Sequence, residues 1–274
     1  MKRLLQIEFI KLFTYAGFWV PASFWAILYV LSLFIGTQVN INFPGMDSHT
    51  FFTFPMLWNT TTWLASWFNL LLAILIMIII CNEFSYRTFR QHVIDGLSRT
   101  ELFLGKIALI LVFAIAGVVL VFISTLVVGL FFNNAGSWSH IFDTLYLPLV
   151  YFIQAIAYMS FAMMISLLLK NIALSILTFI LYFFPFEPII RNFFPDQILM
   201  FFPMKVISNL TPPPDVLHIS SQPQMITTIN GQIISSTPST PPFEIPLWGN
   251  TLVALGYITL FLGISWWILK KKKL

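Results

Sequence analysis

Residues 82–106 read NEFSYRTFRQHVIDGLSRTELFLGK. Seven side chains in this stretch are charged: Glu83, Arg87, Arg90, Asp95, Arg99, Glu101 and Lys106. The run before it, LLAILIMIII (71–80), and the run after it, IALILVFAIAGVVLVF (107–122), carry no charge. A charge at the centre of a bilayer costs roughly 2.5–3.5 kcal/mol on insertion scales. A charged island between two such runs therefore predicts two membrane crossings joined at one membrane face.

The rest of the chain supports the same solvent. Of 274 residues, 58% are hydrophobic and 9% are charged, and the mean hydropathy is +0.88. Soluble domains carry about 25% charged residues, so this composition excludes a water-soluble globule. Charge-free gaps run 12–46, 48–82, 107–142, 144–169, 171–186 and 245–269. A spanning helix needs about 20 apolar residues. The expected fold is an all-α polytopic membrane protein, with residues 1–274 forming one transmembrane domain. Its six helices are predicted at roughly 18–36, 63–81, 107–131, 147–168, 171–187 and 248–269. The fifth gap, NIALSILTFILYFFPF, reaches only about 24 Å at 1.5 Å per residue and predicts a short or tilted span.

Lys and Arg set the expected orientation. With six spans both termini share a side. That side holds Lys2, Arg3, Lys11, Arg87, Arg90, Arg99, Lys106, Lys170 and Lys270 to Lys273, whereas the other holds only Arg191 and Lys205. Both termini are therefore expected in the cytoplasm. Asp47, Asp143, Glu187, Asp196, Asp215 and Glu244 are expected outside, and no charge is expected within any span. At the midplane only Asn69, Gln154 and scattered Ser and Thr are polar, and they read as helix-packing contacts. A self-powered ion-coupled carrier would keep an ionisable group there, so any transport energy is expected from elsewhere.

Outside the spans, MKRLLQIEFIKLFTY predicts an amphipathic surface helix over 2–15, with Glu8 and Lys11 on its polar face. The extracytoplasmic segment 188–246 is Pro-rich, and Asn230-Gly231 predicts a hairpin near 225–236. Whether this segment gates a path or is a passive lid stays open. Cys81 is the only cysteine, which excludes an intrachain disulfide and a Cys-based zinc site. The four histidines are scattered over loops, and neither H-E-x-x-H nor a pair of carboxylates lies within the spans. No enzyme activity, metal or cofactor is therefore expected. The chain also lacks the G-x4-G-K-[ST] loop of ATP-binding proteins.

The opening stretch has helical features of its own. Glu83 stands at helix-face spacing from Arg87 and Arg90, while Phe89, Val93, Ile94 and Leu97 supply an apolar side. Gly96 permits a break. Ser98 and Glu101 form an S-x-x-E capping box that opens the third span. The region 83–99 thus predicts a helix over 83–97 lying along the membrane, a turn, and a capped entry near Lys106. Two readings remain: a docking helix for a soluble protein, or a solvated loop.

Glu83, Thr88, Ser98, Arg99 and the Gly105-Lys106 pair resemble the pattern E-x3-G-T-x9-S-R followed by G-K. That pattern belongs to ABC-2-type transporter permeases, the membrane subunits of ATP-driven exporters. LLQIEFIKLF resembles their N-terminal helix, and the six-span arrangement extends the likeness over the whole chain. The chain departs at Arg87 (usually Gly), His92 (usually aliphatic) and Gly96 (often Pro). The resemblance implies a bacterial cytoplasmic-membrane permease that acts as a homodimer and exports a hydrophobic or amphiphilic substrate. Its implied partners are a separate ABC ATPase subunit, a second permease copy and membrane lipids, with no nucleic acid. Residues 83–97 become the coupling helix. Glu83 and Arg99 brace it, Arg87, Arg90 and Asp95 meet the ATPase, and Thr88, Ser98, Glu101 and Lys106 complete the docking region. A non-transporting membrane anchor using the same helix is the alternative.

Overall fold

The computed structural model describes residues 16–38, 51–132, 140–214, 226–229, 232–235 and 245–271. Six of its helices are long and apolar enough to cross a membrane: Gly17–Gln38, Met56–Ser85, Arg99–Phe132, Leu147–Leu169, Ile172–Arg191 and Leu247–Lys271. They are called the first to sixth spans below. Their number agrees with the sequence reading, and the first, fourth and sixth lie within two residues of the expected bounds at both ends, whereas the second, third and fifth do not. The second begins at Met56 rather than residue 63, and the third begins at Arg99 rather than residue 107. At 34 residues the third is about 51 Å long, well beyond a hydrocarbon core of about 30 Å. The expected surface helix over 2–15, with Glu8 and Lys11, lies outside the described residues.

The fourth span is the centre of the bundle, with 67% of its most apolar window buried against 17% for the first and fifth. Five of its inward positions are small: Ala155, Ala157, Ser160, Ala162 and Ser166 are all fully buried. In lipid, helices gain nothing from leaving water, so close backbone approach over small residues drives their packing. Gly129 on the third span shows the same constraint, since a Cβ there would stand 2.8 Å from the Phe54 ring. Hydroxyls and amides tie the spans across these contacts. Thr61 meets Thr125 at 2.7 Å, Tyr29 meets Ser124 at 2.7 Å, and Asn69 Nδ2 donates to Gln154 Oε1 at 3.2 Å. Asn69 and Gln154 do act as helix-packing contacts.

The second span is two helical pieces, Met56–Trp67 and Asn69–Ser85, that meet at Phe68. The fifth is also composite: Ile172–Leu181, a π-helical turn Tyr182–Phe186, and Glu187–Arg191. Pro185 has no N–H for the α-helical bond, and a π turn re-registers the ladder around it. The fourth and fifth spans join in two residues. Lys170 is left-handed at φ 55°, and Asn171 caps the next helix by accepting from Leu174 N–H. Beyond the fifth span lie the short helices Asp196–Leu199 and Pro203–Ser208. Strands Ile226–Ile229 and Gln232–Ser235 pair antiparallel, with Ile229 opposite Gln232; Asn230 and Gly231 between them lie outside the described residues.

Candidate functional site

The charged stretch folds as three capped pieces. Glu83 belongs to the last turn of the second span. Arg87 then turns left-handed at φ 55° and starts a seven-residue helix, Thr88–Ile94. The expected single helix over 83–97 is thus shorter, because Arg87 breaks the path from the second span. Glu83 and Arg87 consequently do not share a helix face. The short interspan helix closes with a Schellman motif: Gly96 N–H donates to Val93 O and Leu97 N–H to His92 O. Gly96 sits at φ 94°, a conformation that favours glycine. The capping box then closes in both directions. Glu101 Oε2 accepts from Ser98 N–H at 2.8 Å, and Glu101 N–H donates to Ser98 Oγ at 3.2 Å.

One side of the interspan helix is locked to the bundle. Phe89 is 2% exposed and stacks on Phe84 of the second span at 4.8 Å. It joins a core cluster with Leu102 of the third span, Met163 of the fourth and Ile268 and Leu269 of the sixth; Val93 and Leu97 pack on its edge. Beneath it, Lys106 Nζ donates to Glu83 Oε1 at 2.6 Å and lies 5.9 Å from the Phe89 ring centre. Both side chains of this ion pair are buried, at 2% and 9% exposure. Arg99 Nη1 donates to Leu269 O and Lys270 O, the last carbonyls of the sixth span. A guanidinium there satisfies open acceptors and meets the negative end of the helix dipole. Lys170 Nζ, at the end of the fourth span, lies 4.8 Å over the Phe84 ring.

The second and third spans therefore meet at the interspan helix, and the sixth is tied to the start of the third through Arg99. Its opposite side is open: Arg87, Gln91 and Asp95 are exposed, Ile94 is 77% exposed, and Tyr86 beside them is 68% exposed. The nine residues singled out in the sequence divide in two. Glu83, Lys106, Arg99, Ser98, Glu101 and Thr88, whose hydroxyl donates to Glu83 O at 3.2 Å, hold the joint together. Arg87 and Asp95 face outward, and the Arg90 side chain lies outside the described part.

Three charged side chains within the six long helices are buried: Glu83, Lys106 and Glu187. Lys106 lies about two turns inside the third helix, where Glu83 neutralises it. Glu187, expected outside, is 2% exposed within the fifth span and accepts from Met204 N–H at 3.0 Å and Lys205 N–H at 2.8 Å. Sequence reasoning misses their burial because the cost of insertion applies to an unpaired charge. One local signal is available for Glu187. Pro203 marks the first turn of the helix Pro203–Ser208, whose open N–H groups suit a carboxylate.

The fold and its six spans define an integral membrane protein. The chain belongs to the family described as "Protein of unknown function (DUF2705)", whose model matches residues 23–274. No curated protein matches the chain.

Proposed function

We propose that this chain is the permease subunit of an ATP-driven exporter for a hydrophobic or amphiphilic substrate, with ATP hydrolysed by a separate soluble subunit. One observation carries the reading: the interspan helix is held on one side by Phe89 against Phe84 of the second span and against the Glu83–Lys106 pair that joins the second and third spans, and it offers Arg87, Gln91, Ile94 and Asp95 on the other. A partner pulling on that open side would move the second, third and sixth spans together, because Glu83–Lys106 and Arg99 couple them. A solvated loop needs none of these contacts.

Two further observations support it. The described cations near the interspan helix are Arg87, Arg99, Lys106, Lys170, Lys270 and Lys271, against Arg191 and Lys205 elsewhere. The positive-inside rule then makes this face cytoplasmic, where ATP is. Arg87 also adopts the left-handed conformation that glycine takes at least cost. This is the position at which the resembled permeases carry glycine. At Gly96, where they often carry proline, φ 94° excludes proline, so the helix ends differently here. We place the protein in a bacterial cytoplasmic membrane as a homodimer.

Co-reconstitution with its ATPase separates export from anchoring. Dithionite bleaching of NBD-labelled acyl amphiphiles in liposomes should reveal ATP-dependent movement between leaflets. A complex that hydrolyses ATP without moving any member of the panel would leave the anchor role instead.

A further inference from the structure

A cavity of about 810 Å³ opens in the half of the bundle away from the interspan helix. That is within the range of small-molecule sites, about 300–1,000 Å³. The second, fourth and fifth spans form its apolar wall with Trp63, Trp67, Leu70, Tyr158, Phe183 and Phe184. From Trp63 to Leu70 this wall runs about 10 Å along the helix axis. Tyr158 lies eleven residues into the fourth span, about 16 Å from its start, near the middle of a hydrocarbon core of about 30 Å.

The other end is polar. Lys205, Ser208 and Asn209 come from the short helix Pro203–Ser208 and its end, and Asn250 from the first turn of the sixth span. Gln154 fixes this end, donating through Nε2 to Ile207 O and Thr211 Oγ1, both at 2.9 Å. Asn250 is only 6% exposed and lines the cavity. Its amide carries both donors and an acceptor that a ligand in the cavity can use. The nearby carboxylate of Glu187 is turned to the Met204 and Lys205 amides, so Lys205 is the charged side chain that lines this end.

We propose that this cavity binds a phosphate-bearing acyl lipid. The acyl chain lies along Trp63, Trp67 and Phe183, and the head is held by Asn250, Asn209 and Lys205. The site is a property of the single chain and does not rest on the ATPase reading.

The test uses the full-length chain purified in dodecyl maltoside, with phosphatidylglycerol carrying a diazirine in its acyl chain. Photolabelling should saturate and should concentrate on peptides containing Trp63–Leu70 and Phe183–Phe184. Unlabelled phosphatidylglycerol and phosphatidylcholine should compete, and diacylglycerol should not. Asn250→Leu should lower labelling of those peptides about tenfold, the loss of roughly one hydrogen bond to a charged group, while Asn250→Gln retains it. Labelling of the exposed first-span residues Phe24 and Phe34 should not change. Asn209→Leu repeats the test if Asn250→Leu does not fold. Labelling spread evenly over exposed apolar faces, equal competition by diacylglycerol, or wild-type labelling in both Leu variants would overturn the proposal.

Discussion

Replacing Lys106 by methionine is expected to destabilise the protein by about 3–5 kcal/mol. The substitution leaves the Glu83 carboxylate buried at the end of the second span with its cation removed. The double change Glu83→Met and Lys106→Met removes both charges and should recover most of the loss, because a buried pair and an apolar pair of similar volume differ little. Tryptophan fluorescence during an SDS unfolding titration reads both values. A single variant within about 1 kcal/mol of the parent would show that the pair is solvated, as surface pairs are, and would remove its role as the brace of the interspan helix.

The second large effect is expected at Glu187. Glu187→Leu removes two hydrogen bonds made by a carboxylate to the first turn of Pro203–Ser208. Bonds to charged groups contribute roughly 1.5–3 kcal/mol each, and the Met204 and Lys205 amides would be left without an acceptor. A loss of about 2–4 kcal/mol is expected, with Glu187→Gln losing about half as much because one oxygen remains. Hydrogen exchange gives a local readout: the Met204 and Lys205 amides should lose protection before the spans do. Unchanged protection at both would contradict the contact.

The six spans are legible in the sequence because hydropathy is cumulative over about 20 residues and tolerates error at any one of them. The ends of the second, third and fifth are not. Reading ends from charges treats every charge as a stop, yet Lys106 and Glu83 cancel each other and Glu187 is satisfied by backbone amides. A paired charge belongs to the helix, so the third and fifth helices extend past their charge-free gaps. The brace is hidden for the same reason, since pairing between residues 83 and 106 depends on how two spans pack.

Local chemistry reads more securely than long-range contact. The Ser98–Glu101 capping box and the break at Gly96 depend on residues within one turn, and both close as their sequence requires. The division of the charged stretch into a locked side and an open side is only partly visible. The contact from Arg99 to the sixth span crosses 170 positions of sequence, and no local pattern announces it. The cavity is not visible at all, because its wall is assembled from three separated spans and its polar end from the Pro-broken region after the fifth span.

The open side of the interspan helix is proposed to bind a soluble ATPase. The most direct measurement is purification of the tagged chain from its native membrane in mild detergent, with ATP hydrolysis assayed in the eluate. A stoichiometric ATPase subunit is expected with the parent chain. At least about a tenfold loss of that subunit is expected when Arg87, Gln91, Ile94 and Asp95 are changed together to oppositely charged or polar residues, with Phe89, Glu83 and Lys106 untouched and the protein still folded. A folded parent chain that purifies without any ATPase, or a variant that retains it in full, would contradict the claim.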